Sequence, residues 1–296
     1  EEKHETILKS RNPWPANASI EFKNFTMCYR PGLPPVLNNI NFQIGAGQKV
    51  GIVGRTGAGK SSIIQALFRM VTPDAESKLM VGGSDAQLMG LHSLRRNLSI
   101  IPQTPFLFRG SIRQNIDPFN EYPEEKLWEA LRESDLADYV QTVQRFLWQL
   151  KNKLDTDISS SSEIFSVGQK QLVCLSRAIL RNSRILVLDE ATSNVDLRTD
   201  DFIQRTLKTK FHSCTIVTIA HRLNTIADYD TVIVMEKGKV VEHGPPLQLL
   251  TNSPSDTTIT RKGLFAEMVQ STGQANSREI FRLAARKATA EQPTPQ

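Results

Sequence analysis

The stretch Gly54-Arg55-Thr56-Gly57-Ala58-Gly59-Lys60-Ser61 carries glycine at its first, fourth and sixth positions and ends on an ammonium and a hydroxyl. That is the pattern of a phosphate-binding loop, the Walker A motif. A backbone without Cβ wraps tightly and aims successive N–H groups at β- and γ-phosphate oxygens, the chemistry these glycines permit. The start of the following helix adds its positive dipole, Lys60 a mobile charge, and Ser61 a hydroxyl for Mg2+. A second candidate is Ile185-Leu186-Val187-Leu188-Asp189-Glu190, an apolar strand ending in two carboxylates. A parallel sheet gathers the C-terminal ends of its strands at one edge. Asp189 is therefore expected at the Mg2+ hydration shell and Glu190 facing an attacking water. His221, after Thr218-Ile219-Ala220, and Gln103, after Leu98 to Ile101, stand at two further strand ends. The first is suited to touch a γ-phosphate or orient Glu190, the second to reach metal or water. The central expectation is that the glycine-rich turn and the two acids converge on one Mg-bound triphosphate.

These groups need strands that end where the loops begin. Gln48 to Val53 is a short apolar strand that runs straight into the glycine-rich turn, and Lys60 to Met70 reads as the helix after it. Upstream, Ile20, Phe22, Phe25 and Met27, a turn at Arg30-Pro31-Gly32, and Val36 to Ile44 predict two strands. From about residue 104 to 182 the pattern is mainly helical, over Ser111 to Ile116, Glu124 to Glu133, Leu136 to Gln149 and Gly168 to Arg181. Strands return at Arg184 to Leu188, Thr215 to Ile219 and Thr231 to Met235, with a helix over Leu197 to Thr209 between the first two. This alternation is that of a doubly wound sheet. Lys237-Gly238-Lys239 reads as a hairpin turn before Val240-Val241, and Phe265 to Val269 as a short amphipathic helix. Arg278, Arg282 and Arg286 recur at helical spacing in the tail, which reads as a docking or frayed helix.

Composition narrows the class. The 296 residues are 39% apolar, 23% charged and 7% aromatic, which suits a globular chain with a sizeable core and excludes a disordered or collagen-like one. No apolar run approaches the about 18 to 20 residues that cross a bilayer as a helix. The formal charge of +5 is spread along the chain without a basic stripe interleaved with aromatics, so nucleic acid is not expected as a partner. Cys28, Cys174 and Cys214 lack metal-ligand spacing and read as reduced core residues of a cytosolic domain. Residues 1 to about 17 are charged and then rich in Pro and Asn, and read as a linker. With neither an initiator Met nor a signal segment, the chain reads as a piece of a longer polypeptide.

Phe165-Ser166-Val167-Gly168-Gln169-Lys170-Gln171, shortly before the Asp189-Glu190 strand, resembles the signature of ATP-binding-cassette (ABC) ATPases. With it, the chain from about Ser19 to Val269 resembles the nucleotide-binding domain of an ABC transporter. The resemblance implies an α/β fold, a P-loop core with an antiparallel β subdomain and a helical subdomain inserted over about 104–182. The domain itself would run over 18–270, followed by a helical or disordered tail over 271–296. It also implies that Tyr29 stacks on adenine, that Gly54, Thr56, Gly57, Gly59, Lys60, Ser61 and Ser62 hold the phosphates, and that Ser193-Asn194-Val195-Asp196 is the D-loop. By the same resemblance Gln103 is the Q-loop glutamine, His221 the switch histidine, Glu190 the group that polarises water, and Ser61, Gln103 and Asp189 the residues at Mg2+. Tyr29-Arg30-Pro31, Pro102-Gln103-Thr104-Pro105, Gly110-Ser111-Ile112-Arg113 and Val167 resemble the second cassette of the C subfamily, the multidrug-resistance-associated type. One departure stands out. That group usually carries Glu-Gly-Gly before the signature, where this chain has Ser160-Ser161-Ser162 followed by Glu163-Ile164.

The resemblance further implies two such domains closing head to tail around two ATP molecules. Ser166, Gly168 and Gln169 would contact the ATP held by the partner, and Asp196 would lie near it. Transmembrane domains of the same polypeptide would bind the small-molecule substrate, organic anions or glutathione conjugates, and hold this domain at the cytosolic face of a vacuolar or plasma membrane. A mainly regulatory, ATP- or ADP-sensing domain of a C-subfamily channel regulator is the alternative. A DNA-repair or translation ATPase is disfavoured by the lack of a long coiled-coil insertion or a second cassette. A GTPase is disfavoured by the lack of an Asn-Lys-x-Asp motif.

Overall fold

The computed structural model describes residues 17–146, 153–155, 158, 165–191, 195–253 and 256–290. The linker, the departure at 160–164 and Ser193 and Asn194 lie outside them. The chain divides into two compact units, Glu1–Leu98 with Ser213–Gln296, and Ser99–His212.

In the first unit β1 (Ile20–Met27) pairs antiparallel with β2 (Leu37–Ile44) and with β4 (Lys78–Val81), and β5 (Ser84–Asp85) continues the sheet in the order β2-β1-β4-β5. Ile20, Phe22, Phe25 and Met27 are all buried although strict alternation would turn two of them outward. The register shifts between Phe22 and Phe25, where Asn24 takes φ +46 and its N–H is held by Asn41 Oδ1 at 2.8 Å. This bulge resets the alternation and keeps all four side chains in one core. The β4–β5 hairpin was not anticipated. It turns on Gly82 and Gly83, both at positive φ, the chemistry of a two-residue hairpin loop.

The other strands of this unit are β3 (Lys49–Gly54), β8 (Thr215–Ile219), β9 (Thr231–Glu236) and β10 (Lys239–Gly244). β3 lies parallel between β8 and β9, and β10 turns back antiparallel on β9. Parallel strands covered on both faces should be apolar throughout, and β8 is buried at every residue. Helix α1 (Lys60–Leu67) follows β3, and α2 (Leu91–Arg96) precedes the second unit. α1 ends three residues short of the expected Met70. Arg69 takes φ +48, and Arg95 reaches back to donate to the carbonyls of Phe68 at 2.9 Å and Arg69 at 3.1 Å.

After β10 come α8 (Pro246–Leu250), α9 (Leu264–Ser271) and α10 (Gln274–Ala290). α10 buries Ile280 and Ala284 in one cluster with Phe265, Val269, Leu250, Tyr229 and Ile226. Burying the isoleucine stabilises the docked helix by roughly 2 kcal/mol, more than its exposed Glu279–Arg282 pair contributes. Lys287 Nζ lies 2.8 Å from Asp230 Oδ1.

The second unit holds β6 (Leu98–Ile101) beside β7 (Ile185–Asp189), together with α3 (Ile112–Ile116), α4 (Glu124–Glu133), α5 (Ala137–Phe146), α6 (Val167–Arg181) and α7 (Leu197–Lys210). α6 buries Leu172, Val173, Leu175 and Ala178, and stops at Asn182 in the left-handed conformation. Its Ser176 hydroxyl meets that of Ser134 at 2.6 Å, so both buried hydroxyls are satisfied. No helix among the described residues is long and apolar enough to cross a membrane. All three cysteines are free thiols. Cys174 and Cys214 are buried as expected, while Cys28, next to exposed Tyr29, is only half-buried.

Candidate nucleotide site

In the first unit the glycine-rich turn is shaped by backbone contacts. β3 delivers the chain to Gly54 (φ +153), and the turn passes through Gly57 (φ +81) and Gly59 (φ +100) before α1 begins. Two of these glycines are demanded by close approach. A Cβ on Gly54 would lie 2.3 Å from the Met235 carbonyl oxygen, and one on Gly59 would lie 2.9 Å from that of Val36. Gly57 has open space around it and needs glycine for its φ alone. The turn is fastened from outside by the β9–β10 hairpin. Gly238 N–H donates to the Ala58 carbonyl at 2.9 Å, while its own carbonyl accepts from Asn38 N–H at 2.8 Å.

The side chains of the loop are arranged for an anion. Lys60 is buried, and its ammonium donates to the carbonyls of Gly54 at 2.9 Å and Arg55 at 3.2 Å. Its charge is thus curled over the turn that precedes it. Ser61 is exposed at the start of α1, whose first turn contains no acidic residue to oppose a phosphate. Ser62 is buried, and its hydroxyl lies 2.9 Å from that of Tyr29. That contact tethers an otherwise exposed aromatic ring beside the helix start, and Thr56 lies exposed on the glycine-rich turn. His221 is exposed two residues after β8, just before a 3-10 turn over Leu223–Ile226. Ile226 of that turn packs so closely on Gly51 of β3 that a Cβ there would come within 2.7 Å.

The second unit holds its groups by side chains. Asp189 ends β7 half-buried, and Glu190 follows with a left-handed backbone, φ +47. Gln103 Nε2 donates to Glu190 Oε2 at 2.5 Å, so the loop after β6 and the loop after β7 meet at these two residues. Among the signature residues, Ser166 Oγ accepts from Gln169 N–H at 3.2 Å, and Gln169 Oε1 accepts from Ser166 N–H at 2.9 Å. This reciprocal capping box opens α6. Gly168 is buried, and a Cβ there would stand 3.3 Å from Asp196 Oδ2 and from Thr199 Oγ1. Asp196 caps α7, accepting from the Thr199 N–H at 3.0 Å and from its hydroxyl at 2.8 Å. These bonds, the backbone one foremost, hold its carboxyl below the usual aspartate range.

The structure therefore brings together Tyr29 with Ser62, Gly54 with Lys60, Gln103 with Glu190, Ser166 with Gln169, and Gly168 with Asp196. Lys60, Ser61 and His221 belong to one unit, Asp189, Glu190 and Gln103 to the other. Three features escaped sequence reasoning. The two Ser-x-x-Gln capping boxes, at Ser111/Gln114 and Ser166/Gln169, carry a readable signal. Gly238 is recognisable as a turn but not as a support of the loop, and Gln171 gives no signal as a bridge between β6 and β7. The donor set fits the groups that the motifs imply. A glycine turn at a helix start suits a polyphosphate. Among the described residues no group of three or more His, Cys, Asp or Glu gathers to hold a metal. Ser61, Gln103 and Asp189 carry the hard oxygen donors that Mg2+ takes.

Residues 37–193, just over half the chain, match the family model described as ABC transporter. The chain belongs to the ABC transporter family. It is thus an ATP-binding cassette with the α/β P-loop ATPase fold. The cassette is 46% identical over 95% of its length to the ABC transporter C family member 3 of Dictyostelium discoideum, and 47% identical over 92% to the ATP-binding cassette sub-family C member 4 of Homo sapiens. It spans 19% of the length of each of these relatives. A probable multidrug resistance-associated protein of Drosophila melanogaster is 47% identical over 93% of the cassette, which spans 19% of that protein. Among solved structures, a bacterial Atm1-family ABC exporter with ATP bound superposes with a TM-score of 0.74 at 33% identity, covering 87% of the cassette and 42% of that chain.

Proposed function

We propose that this cassette is the Mg-dependent, ATP-hydrolysing motor domain of a C-family membrane exporter, most simply its second nucleotide-binding domain. The observation that carries the reading is the pair of held groups. A glycine-enforced turn keeps Lys60 over a phosphate cradle, and Gln103 holds the carboxylate of Glu190.

In this reading each unit contributes residues to nucleotide turnover. Lys60 and the amides of the turn at 54–61 bind the β- and γ-phosphates, and Tyr29 stacks on the adenine. Ser61, Asp189 and Gln103 would hold Mg2+, which would supply charge neutralisation for the phosphates. Glu190 orients the attacking water and draws on its proton, and Gln103 keeps its carboxylate in place. His221 contacts the γ-phosphate or orients Glu190. A second cassette completes the site head to tail, and this chain offers that cassette the N-terminal end of α6, with Ser166, Gly168 and Gln169 around its dipole. The polypeptide's transmembrane domains, at a vacuolar or plasma membrane, carry the organic anion or conjugate.

The test is phosphate release and equilibrium Mg-ATP binding by the intact polypeptide, native and Glu190→Gln. Native turnover that the substitution abolishes while binding persists supports a motor. Native ATP binding without turnover supports the regulatory alternative and ends the motor reading.

A further inference from the structure

Gln171 sits in the middle of the α6 face that meets the ends of β6 and β7, and it is 1% exposed. Its side-chain nitrogen donates to the Pro102 carbonyl at 2.8 Å and to the Ala191 carbonyl at 2.5 Å. Both neighbours are acceptors only, so the amide orientation is dictated: the NH2 group must face them, because the oxygen could bond neither. That oxygen is fully buried with no partner among the described residues. For packing alone, an apolar residue of the same volume would serve better than an amide that buries an unmatched carbonyl.

The two clamped residues are the chain neighbours of the pair described above. Pro102 immediately precedes Gln103, and Ala191 immediately follows Glu190. Glu190 itself holds a left-handed backbone, φ +47, a conformation that persists only where the surroundings fix it. One donor group ties together the carbonyls on either side of a bond between two loops, and it does so from a third element.

We propose that Gln171 is a positioning residue for ATP hydrolysis. Its amide clamps the backbone beside Gln103 and beside Glu190, and this fixes the Gln103–Glu190 contact in the geometry that orients water. The proposal rests on the reading that Glu190 and Gln103 act in turnover, and it adds a residue that touches neither nucleotide nor water.

The test uses the intact polypeptide with Gln171→Leu, which keeps volume without donors, and Gln171→Met, which keeps length and volume without donors. Both should lower kcat about tenfold or more and leave KM and equilibrium Mg-ATP affinity within about twofold, because a small misplacement of a reacting group costs rate and not ground-state binding. Gln171→Leu combined with Gln103→Ala should be no slower than the slower single variant, since both act through the same contact. A purely structural role would move KM, affinity and thermal midpoint together, and its losses would multiply. If Gln171→Leu does not fold, Gln171→Met decides. Native kcat in a folded variant overturns the proposal, as does loss of Mg-ATP binding in both. Glu190→Gln measured alongside separates the two failures. If that form turns over ATP normally the motor reading falls; if it is inactive while the Gln171 variants run at the native rate, only the clamp falls.

Discussion

The turn at residues 54–61 and the turn at 189–191 are held in opposite ways. The first is fixed by what is missing. Its glycines let the backbone pass within contact distance of the Met235 and Val36 carbonyls, and the Gly238 hairpin fastens it by main-chain bonds alone. The second is fixed by what is present, since two glutamine amides reach it from β6 and α6. A surface that meets a phosphate chain can be made of backbone N–H groups, which glycine lets approach closely although ordering it costs more entropy. A catalytic carboxylate has to be aimed, and aiming takes side chains. One added carbon atom should therefore break the first turn, whereas the second should break when a donor is lost at constant volume.

Substitutions sharpen this contrast in descending order of effect. Glu190→Gln should reduce turnover by roughly a hundredfold or more, the usual worth of a general base, with ATP affinity retained in an equilibrium titration. Gly54→Ala should cost about 3 kcal/mol of folding stability, read as a lowered midpoint in urea, because its Cβ cannot coexist with the Met235 carbonyl. Lys60→Ala should weaken Mg-ATP binding roughly tenfold to a hundredfold by calorimetry, the loss of a charge-assisted contact, without moving the urea midpoint as far. Gly57→Ala, with the same sign of φ but open space, should cost only about 1 kcal/mol in the same unfolding measurement. If the two alanine substitutions proved equal, close approach would not be what fixes the turn.

What could be read without coordinates follows the same line. Glycine spacing, an apolar run ending in acids and a helix start are local patterns, and each appears within a residue or two of its expected place. The helix predicted over Lys60 to Met70 stops at Leu67, where Arg69 turns left-handed and the freed carbonyls are met by Arg95, which lies far along the chain and carries no local mark. The buried quartet Ile20, Phe22, Phe25 and Met27 breaks alternation, and only pairing with β2 reveals the bulge that permits it. Gly82-Gly83 was a legible hairpin signal that the strand reading passed over. Gln171 was quoted as part of a signature, but its partners, Pro102 and Ala191, depend on how β6 and β7 lie against α6, which no spacing rule encodes.

Asp230 gives one oxygen to the N–H of Lys49, the first residue of β3, and the other to Lys287 near the end of α10. The same carboxylate thus anchors the strand that leads into the glycine turn and the last helix of the described chain. A purification tag or fluorescent fusion appended after Gln296 would follow the helix that shares this carboxylate with β3. Assays of affinity should therefore be run with the label at either terminus before a measured constant is ascribed to the native cassette.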